Sequence, residues 1–309
     1  MTNNSQLRTI LTASVTTALV GLGTLTGAAH ATADPATHRC PNLTVVAVPG
    51  TWETSDTAAP SSPGLLDAIT DQLTGSVNVQ QVTYSATAFP WEHEIYAQSE
   101  KEAVDHTRTA VTSVLSQCPD TTIALLGYSQ GADAVGDLAV EIGTGQSTIT
   151  PDRVAAVALI ADPQRSATDT LVGTPVPGNG AEGPRPTGFG ALTSRVRTVC
   201  APGDLYCSIP SDDFVDRLAG LVVRMSAPTT SDPHTNSTQI QAIADDLDEQ
   251  GGIGTLFAQL SQQLTPERFA QVRQFFTSHV HQNYNTYPVD GQGTTATTWL
   301  TQWLNHHTN

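Results

Sequence analysis

The chain has 309 residues, 39% of them hydrophobic and 14% charged, and its 13 Lys and Arg stand against 29 Asp and Glu for a formal net charge of −16. That length is ample for a well-buried core, and the acidic balance excludes nucleic-acid binding and docking on anionic membranes by charge alone. Arg8 is followed by a weakly apolar run over 9–27 and by Ala29-His30-Ala31, a small-x-small cleavage signature. A secretory leader over 1–31 is expected, cut after Ala31 or Ala33, with one domain over 32–309. A membrane anchor is disfavoured because threonine recurs through the run and no stretch of about eighteen unbroken apolar residues exists.

An apolar strand over 43–48 ends at Pro49-Gly50, and a helical pattern follows over 65–73. Residues 77–84 alternate like a strand, and 99–116 read as an amphipathic helix opened by the capping box Ser99-x-x-Glu102. A buried strand over 122–126 precedes a helix over 130–142, and 154–161 is again a near-continuous apolar strand. Gly and Pro interrupt 171–190, which predicts a loop, and 196–200 resumes the sheet. Beyond Cys207 the pattern is helical over 214–225, 239–247, 253–262, 266–278 and about 297–306. Strands alternating with helices indicate a mostly parallel sheet covered on both faces.

Gly127-Tyr128-Ser129-Gln130-Gly131 lies between an apolar strand and a helix. In that context two glycines let strand and helix approach around a strained turn, which lifts the serine hydroxyl above the sheet and aims a helix N-terminus at a reacting carbonyl. A serine nucleophile also needs a histidine base and an orienting carboxylate, in the chain order Ser, acid, His for this fold class. Asp204 and Asp162 both follow strand ends, with Asp204 preferred; His234, His279, His281, His306 and His307 all lie beyond Asp204, and spacing alone does not choose among them. The N–H of Gln130, the residue after the serine, is one expected oxyanion donor. Four cysteines, Cys40, Cys118, Cys200 and Cys207, point to two disulfides with three possible pairings, and their spacing is unlike a zinc site.

Two motifs in order, Gly127-Tyr128-Ser129-Gln130-Gly131-Ala132 after Cys118-Pro119-Asp120, and Cys200-Ala201-Pro202-Gly203-Asp204-Leu205-Tyr206-Cys207, resemble those of cutinases and the cutinase-like serine esterases of actinobacteria. The resemblance spans Cys40 to about Tyr287. It implies an α/β-hydrolase fold, a three-layer sandwich around a central, mostly parallel sheet. It further implies Asp204 as the acid, Cys200–Cys207 and Cys40–Cys118 pairings, and Thr51, in the turn after the first strand, as the second oxyanion donor. His281, three positions before Tyr284 as the family's histidine commonly is, is preferred to His279 as base. A secreted serine carboxylic-ester hydrolase is therefore expected, with catalytic Ser129, Asp204 and His281, acting as a monomer on lipid or polyester-type esters. Cell-envelope or lipid-surface contact fits the family; no metal and no cofactor are implied. An envelope acyltransferase using the same triad is the alternative, and a non-catalytic surface-binding protein the third reading. The 77 positions between Asp204 and His281 exceed the gap in compact fungal relatives, so a helical insertion over about 211–278 is expected, as a lid or as extra outer packing.

Overall fold

The computed structural model describes residues 40–55, 64–88, 92, 94–209, 274–275 and 277–308. The expected leader and all but a few residues of the expected insertion lie outside the described residues, as does His234.

Strands β1 (Leu43–Val48), β2 (Val77–Gln81), β3 (Thr122–Tyr128), β4 (Val154–Ile160), β5 (Leu171–Val172) and β6 (Val196–Val199) form one sheet in the order β2-β1-β3-β4-β6-β5. Every pairing between them is parallel. Parallel strands need crossover connections that cover both faces, so their side chains are apolar on both sides. Val46, Val48, Ile123, Leu125, Val157 and Leu159 point into one core, closed by helices α2 (Tyr96–Gln117) and α3 (Gln130–Gly143). Their neighbours Val45, Ala47, Ala124, Leu126, Ala158 and Ile160 point into the other, which takes Ile69 from α1 (Asp67–Thr70) and Leu300 and Leu304 from α4 (Ala296–Asn305). This is the three-layer α/β-hydrolase sandwich expected from the sequence.

The chain runs from β1 outward to β2 and then back across β1 to β3. The loops leaving the carboxyl ends of β1 and β3 therefore meet where the winding reverses, the place where open α/β sheets bind ligands.

Several boundaries differ from expectation for identifiable reasons. Helix α2 begins at Tyr96 rather than 99, because Ser99 and Glu102 do not cap it: the Ser99 hydroxyl accepts from Thr87 N at 3.0 Å and the Glu102 carboxylate from Ser85 N at 2.7 Å. The expected helix over 65–73 shrinks to the single turn α1, and the strand expected over 77–84 stops at Gln81. Within the Gly- and Pro-rich stretch, Leu171 and Val172 pair with Thr198 and Val199 as the edge strand β5. The last helix is capped by Thr295, whose hydroxyl accepts from Thr298 N.

Both disulfides, Cys40–Cys118 and Cys200–Cys207, pair as the resemblance implied. The first ties the start of β1 to the entry of β3 across 78 residues; closing a loop of that size stabilises a fold by about 4.5 kcal/mol in the chain-entropy account.

Candidate active site

Ser129 sits between the last residue of β3 and the first of α3 with φ 54° and ψ −122°, a conformation that L-residues rarely adopt. Such a backbone costs about 1–3 kcal/mol and persists only where its surroundings enforce it. Ser129 N donates to Ile160 O at 2.9 Å, and Ser129 O accepts from Ala132 N and Asp133 N. The flanking glycines make the turn sterically possible. A β-carbon on Gly131 would lie 2.1 Å from Val48 O, and one on Gly127 2.4 Å from Gly131 O, so only glycine allows α3 to start this close to the ends of β1 and β3.

Ser129 Oγ is 2.9 Å from His281 Nε2, and His281 Nδ1 lies 2.9 and 3.1 Å from the two Asp204 carboxylate oxygens. Asp204 is completely buried, yet its charge is well partnered: besides His281 it accepts from Tyr284 Oη at 2.6 Å and from Tyr206 N at 3.0 Å. Burial, followed by the adjacent Asp204 charge, holds the Tyr284 hydroxyl well above its ordinary pKa, so it keeps its proton and donates. A carboxylate on Nδ1 fixes the proton on that nitrogen and leaves the Nε2 lone pair facing the serine. The disulfide between Cys200 and Cys207 closes the loop that carries Asp204. His281 lies in a 3₁₀ turn, Val280–Gln282, whose His281 carbonyl accepts from Tyr128 Oη at 2.7 Å.

The alternatives weighed from sequence are placed elsewhere. Asp162 is buried in an ion cluster, receiving Arg185 Nη1 at 2.7 Å and Gln164 N at 3.0 Å. His279 is exposed, with Nδ1 3.0 Å from Gln282 Oε1.

Gln130, as the first residue of α3, has no intrahelical acceptor for its N–H. Beside it lies the turn after β1: a β-carbon on Gly50 would sit 3.2 Å from the Ser129 β-carbon, and Thr51 Oγ1 donates to the Gln130 side-chain oxygen at 3.2 Å. The Gln130 amide is fully buried and fixed in orientation, since its Nε2 donates to Thr87 O and Tyr96 O. The turn itself is closed by Glu53, whose carboxylate accepts from Gly50 N at 3.0 Å and Leu65 N at 3.2 Å. Trp52, at φ 64°, is 66% exposed on the same turn.

Sequence reasoning missed the parts played by Tyr284, Tyr206, Tyr128 and Glu53. Tyr284 stood out only as a spacing marker, and its bond to Asp204 supplies a physical reason for that spacing. Replacing Tyr284 by Phe is expected to lower kcat about tenfold while leaving the fold intact, because it removes a hydrogen bond to a charged group; unchanged kinetics would contradict this role.

One turn beyond Ser129, Asp133 belongs to a buried acidic cluster. Burial, chiefly, and neighbouring carboxylates push Asp133 up to about 7 and Glu100 up to about 9, and Glu182 is raised by the same causes. These groups hold protons in the folded protein at pH values where the unfolded chain has released them, so stability falls as pH rises across the window from about 4 to 9. Thermal unfolding is expected at a higher temperature at pH 5 than at pH 9; the reverse order would contradict it.

Comparison with known proteins gives the site its family. The Cutinase family model matches residues 39–215. The chain is 32% identical to the Carboxylesterase Culp6 homolog of Corynebacterium glutamicum over 59% of this chain and 71% of that one. It is 30% identical to Carboxylesterase Culp1 of Mycobacterium tuberculosis over 67% of this chain and 85% of that one. Among solved structures, an acetylxylan esterase aligns at a TM-score of 0.45 and 24% identity, over 60% of this chain and 99% of that one. The family match covers more than half of the sequence and contains both the serine and the acid loop, so the chain belongs to the cutinase family and is a carboxylic ester hydrolase.

Proposed function

We propose that the protein is an exported serine esterase that cleaves lipid or polyester-type esters through an acyl-enzyme on Ser129. The observation that carries this reading is the continuous chain Ser129 Oγ, His281, Asp204, with both hydrogen bonds at 2.9 Å. His281 Nε2 takes the serine proton as Oγ attacks the ester carbonyl, and Asp204 stabilises the imidazolium that forms. The tetrahedral oxyanion is met by the Gln130 N–H and by Thr51. At rest the Thr51 hydroxyl proton points to Gln130 Oε1, so a rotation about one bond turns it to the oxyanion. His281 then returns the proton to the departing alcohol, and a water activated by the same nitrogen frees the acid.

Export rests on the leader signature at Ala29-His30-Ala31 together with two disulfides, which persist in oxidising compartments. The mature chain acts as a single catalytic domain over 32–309 and as a monomer. The test is hydrolysis of p-nitrophenyl esters from two to sixteen carbons, by the wild type beside His281→Ala and His279→Ala. Activity on medium or long chains, lost with His281 and kept with His279, is expected. A His281→Ala protein that remains active would overturn the assignment of the base, and diversion of most acyl groups to an added sugar alcohol would make the enzyme a transferase.

A further inference from the structure

Tyr206 occupies the position between the acid loop and its closing cysteine, and it touches both partners of the Asp204–His281 pair. Its backbone N–H donates to Asp204 Oδ1 at 3.0 Å. Its ring lies against the imidazole of His281, centroid to centroid 4.5 Å, inclined by 31°. Because Cys207 follows it directly and the Tyr206 carbonyl accepts from Ala181 N at 2.8 Å, the backbone that carries this ring is held on both sides. Hydrogen bonds at Nδ1 and Nε2 fix the ends of the imidazole but not its tilt, and a ring packed on it restricts that remaining motion. From the ring packed at a tilt on the imidazole and the N–H on the carboxylate, we infer that Tyr206 is a positioning residue for ester hydrolysis, holding His281 between Ser129 and Asp204 and stabilising its charged form during acylation; this rests on the triad reading.

The second part follows from electrostatics. A cation within about 6 Å of an aromatic centroid is attracted to its π-face, and the imidazolium formed when His281 takes the serine proton meets that condition. Tyr206 stays neutral throughout, since burial first and then the charges of Asp204, Glu182 and Asp133 push its hydroxyl up to about 12. Among the described residues, the other titratable groups around His281 are Asp204 and Tyr128, with Tyr284 acting through Asp204. A side chain without a π-face at position 206 leaves the acid and base in place and frees the imidazole to tilt on that side, with the Tyr128 ring at 5.4 Å and the Phe275 ring at 6.4 Å as its remaining aromatic neighbours among the described residues.

The experiment compares Tyr206→Leu and Tyr206→Phe with the wild type, alongside Ser129→Ala and His281→Ala. For Tyr206→Leu, kcat is expected to fall about tenfold with KM within threefold, and the acid limb of the kcat/KM profile to move about half a unit to lower pH, because the charged imidazole has lost the nearer of the Tyr206 and Tyr128 rings, at 4.5 and 5.4 Å. Tyr206→Phe keeps the ring and is expected to retain both kcat and the profile. A Leu variant with the kinetics and pH limb of the wild type overturns the inference, as does a Phe variant as impaired as Leu, which would place the effect in the hydroxyl. If instead Ser129→Ala and His281→Ala stay active, it is the triad reading that has failed. Should the Leu variant not fold, NMR of the wild type decides: the carbon-bound ring protons of His281 are expected upfield from the Tyr206 ring current, and unshifted resonances overturn the ring contact and with it the inference.

Discussion

A Ser129→Ala protein is expected to fold normally and to lose ester hydrolysis by roughly 10⁵- to 10⁶-fold in kcat, the scale on which removal of a serine nucleophile acts. The residual rate comes from oxyanion donors and substrate positioning, which survive the change. Alanine also fits the site: Ser129 is 4% exposed and its backbone, at φ 54°, carries the strain whichever small side chain is present. Asp204→Asn should follow at about 10⁴-fold, since an amide donor in place of an acceptor forces the imidazole proton onto the nitrogen that faces the serine. Steady-state hydrolysis of a p-nitrophenyl ester measures both. A Ser129→Ala protein retaining more than about a hundredth of the wild-type rate would be incompatible with a covalent serine mechanism.

The largest stability effect is expected at Arg185. Its guanidinium is buried and serves three carboxylates: Nη1 donates to Asp162 at 2.7 Å, Nε to Asp137 at 2.8 Å, and Nη2 to the Asp133 carbonyl and carboxylate. Asp133 and Asp162 are themselves almost fully buried. Removing one partner of a buried ionic cluster typically costs about 3–5 kcal/mol, because the remaining charges stay desolvated without compensation. Arg185→Leu is therefore expected to unfold at much lower denaturant concentration at pH 8. The deficit should shrink at pH 5, below the value of about 7 to which burial, chiefly, pushes Asp133; a loss below about 1 kcal/mol at pH 8 would contradict this account.

The fold was legible wherever apolar runs had a period and a stop. The strands read at 43–48, 122–126 and 154–161 announced themselves as β-branched and aliphatic runs, the structure carrying the second on to Tyr128 and ending the third at Ile160, and Pro49-Gly50 and Gly127 to Gly131 marked the loops that meet at the winding reversal. Ser99 and Glu102 misled because a capping-box pattern was read locally, whereas both side chains bond to the backbone of the 85–87 segment across the loop. The two-residue strand β5 could not be read, since its pairing with β6 is a tertiary fact and its flanks are Gly- and Pro-rich.

At the site, Ser129 was legible from a local motif with mechanical content and Asp204 from its place between two cysteines. His281 was not: five histidines follow Asp204, and only the resemblance preferred His281, beside whose ring nitrogens the structure sets Ser129 Oγ and Asp204. As contacts, the long-range polar partners carried no signal. Tyr284 on Asp204 spans 80 positions and Tyr128 on His281 spans 153, and no periodicity records such pairs.

The most direct test is to trap the covalent intermediate. The protein would be treated with a p-nitrophenyl alkylphosphonate, which transfers its phosphonyl group to an activated serine and releases p-nitrophenolate, and then digested and mapped by mass spectrometry. Stoichiometric release with the added mass on the peptide containing Ser129, absent from Ser129→Ala and greatly slowed in His281→Ala, is the expected result. Labelling of another residue, or an active enzyme that takes up no label while hydrolysing esters at full rate, would contradict Ser129 as the nucleophile.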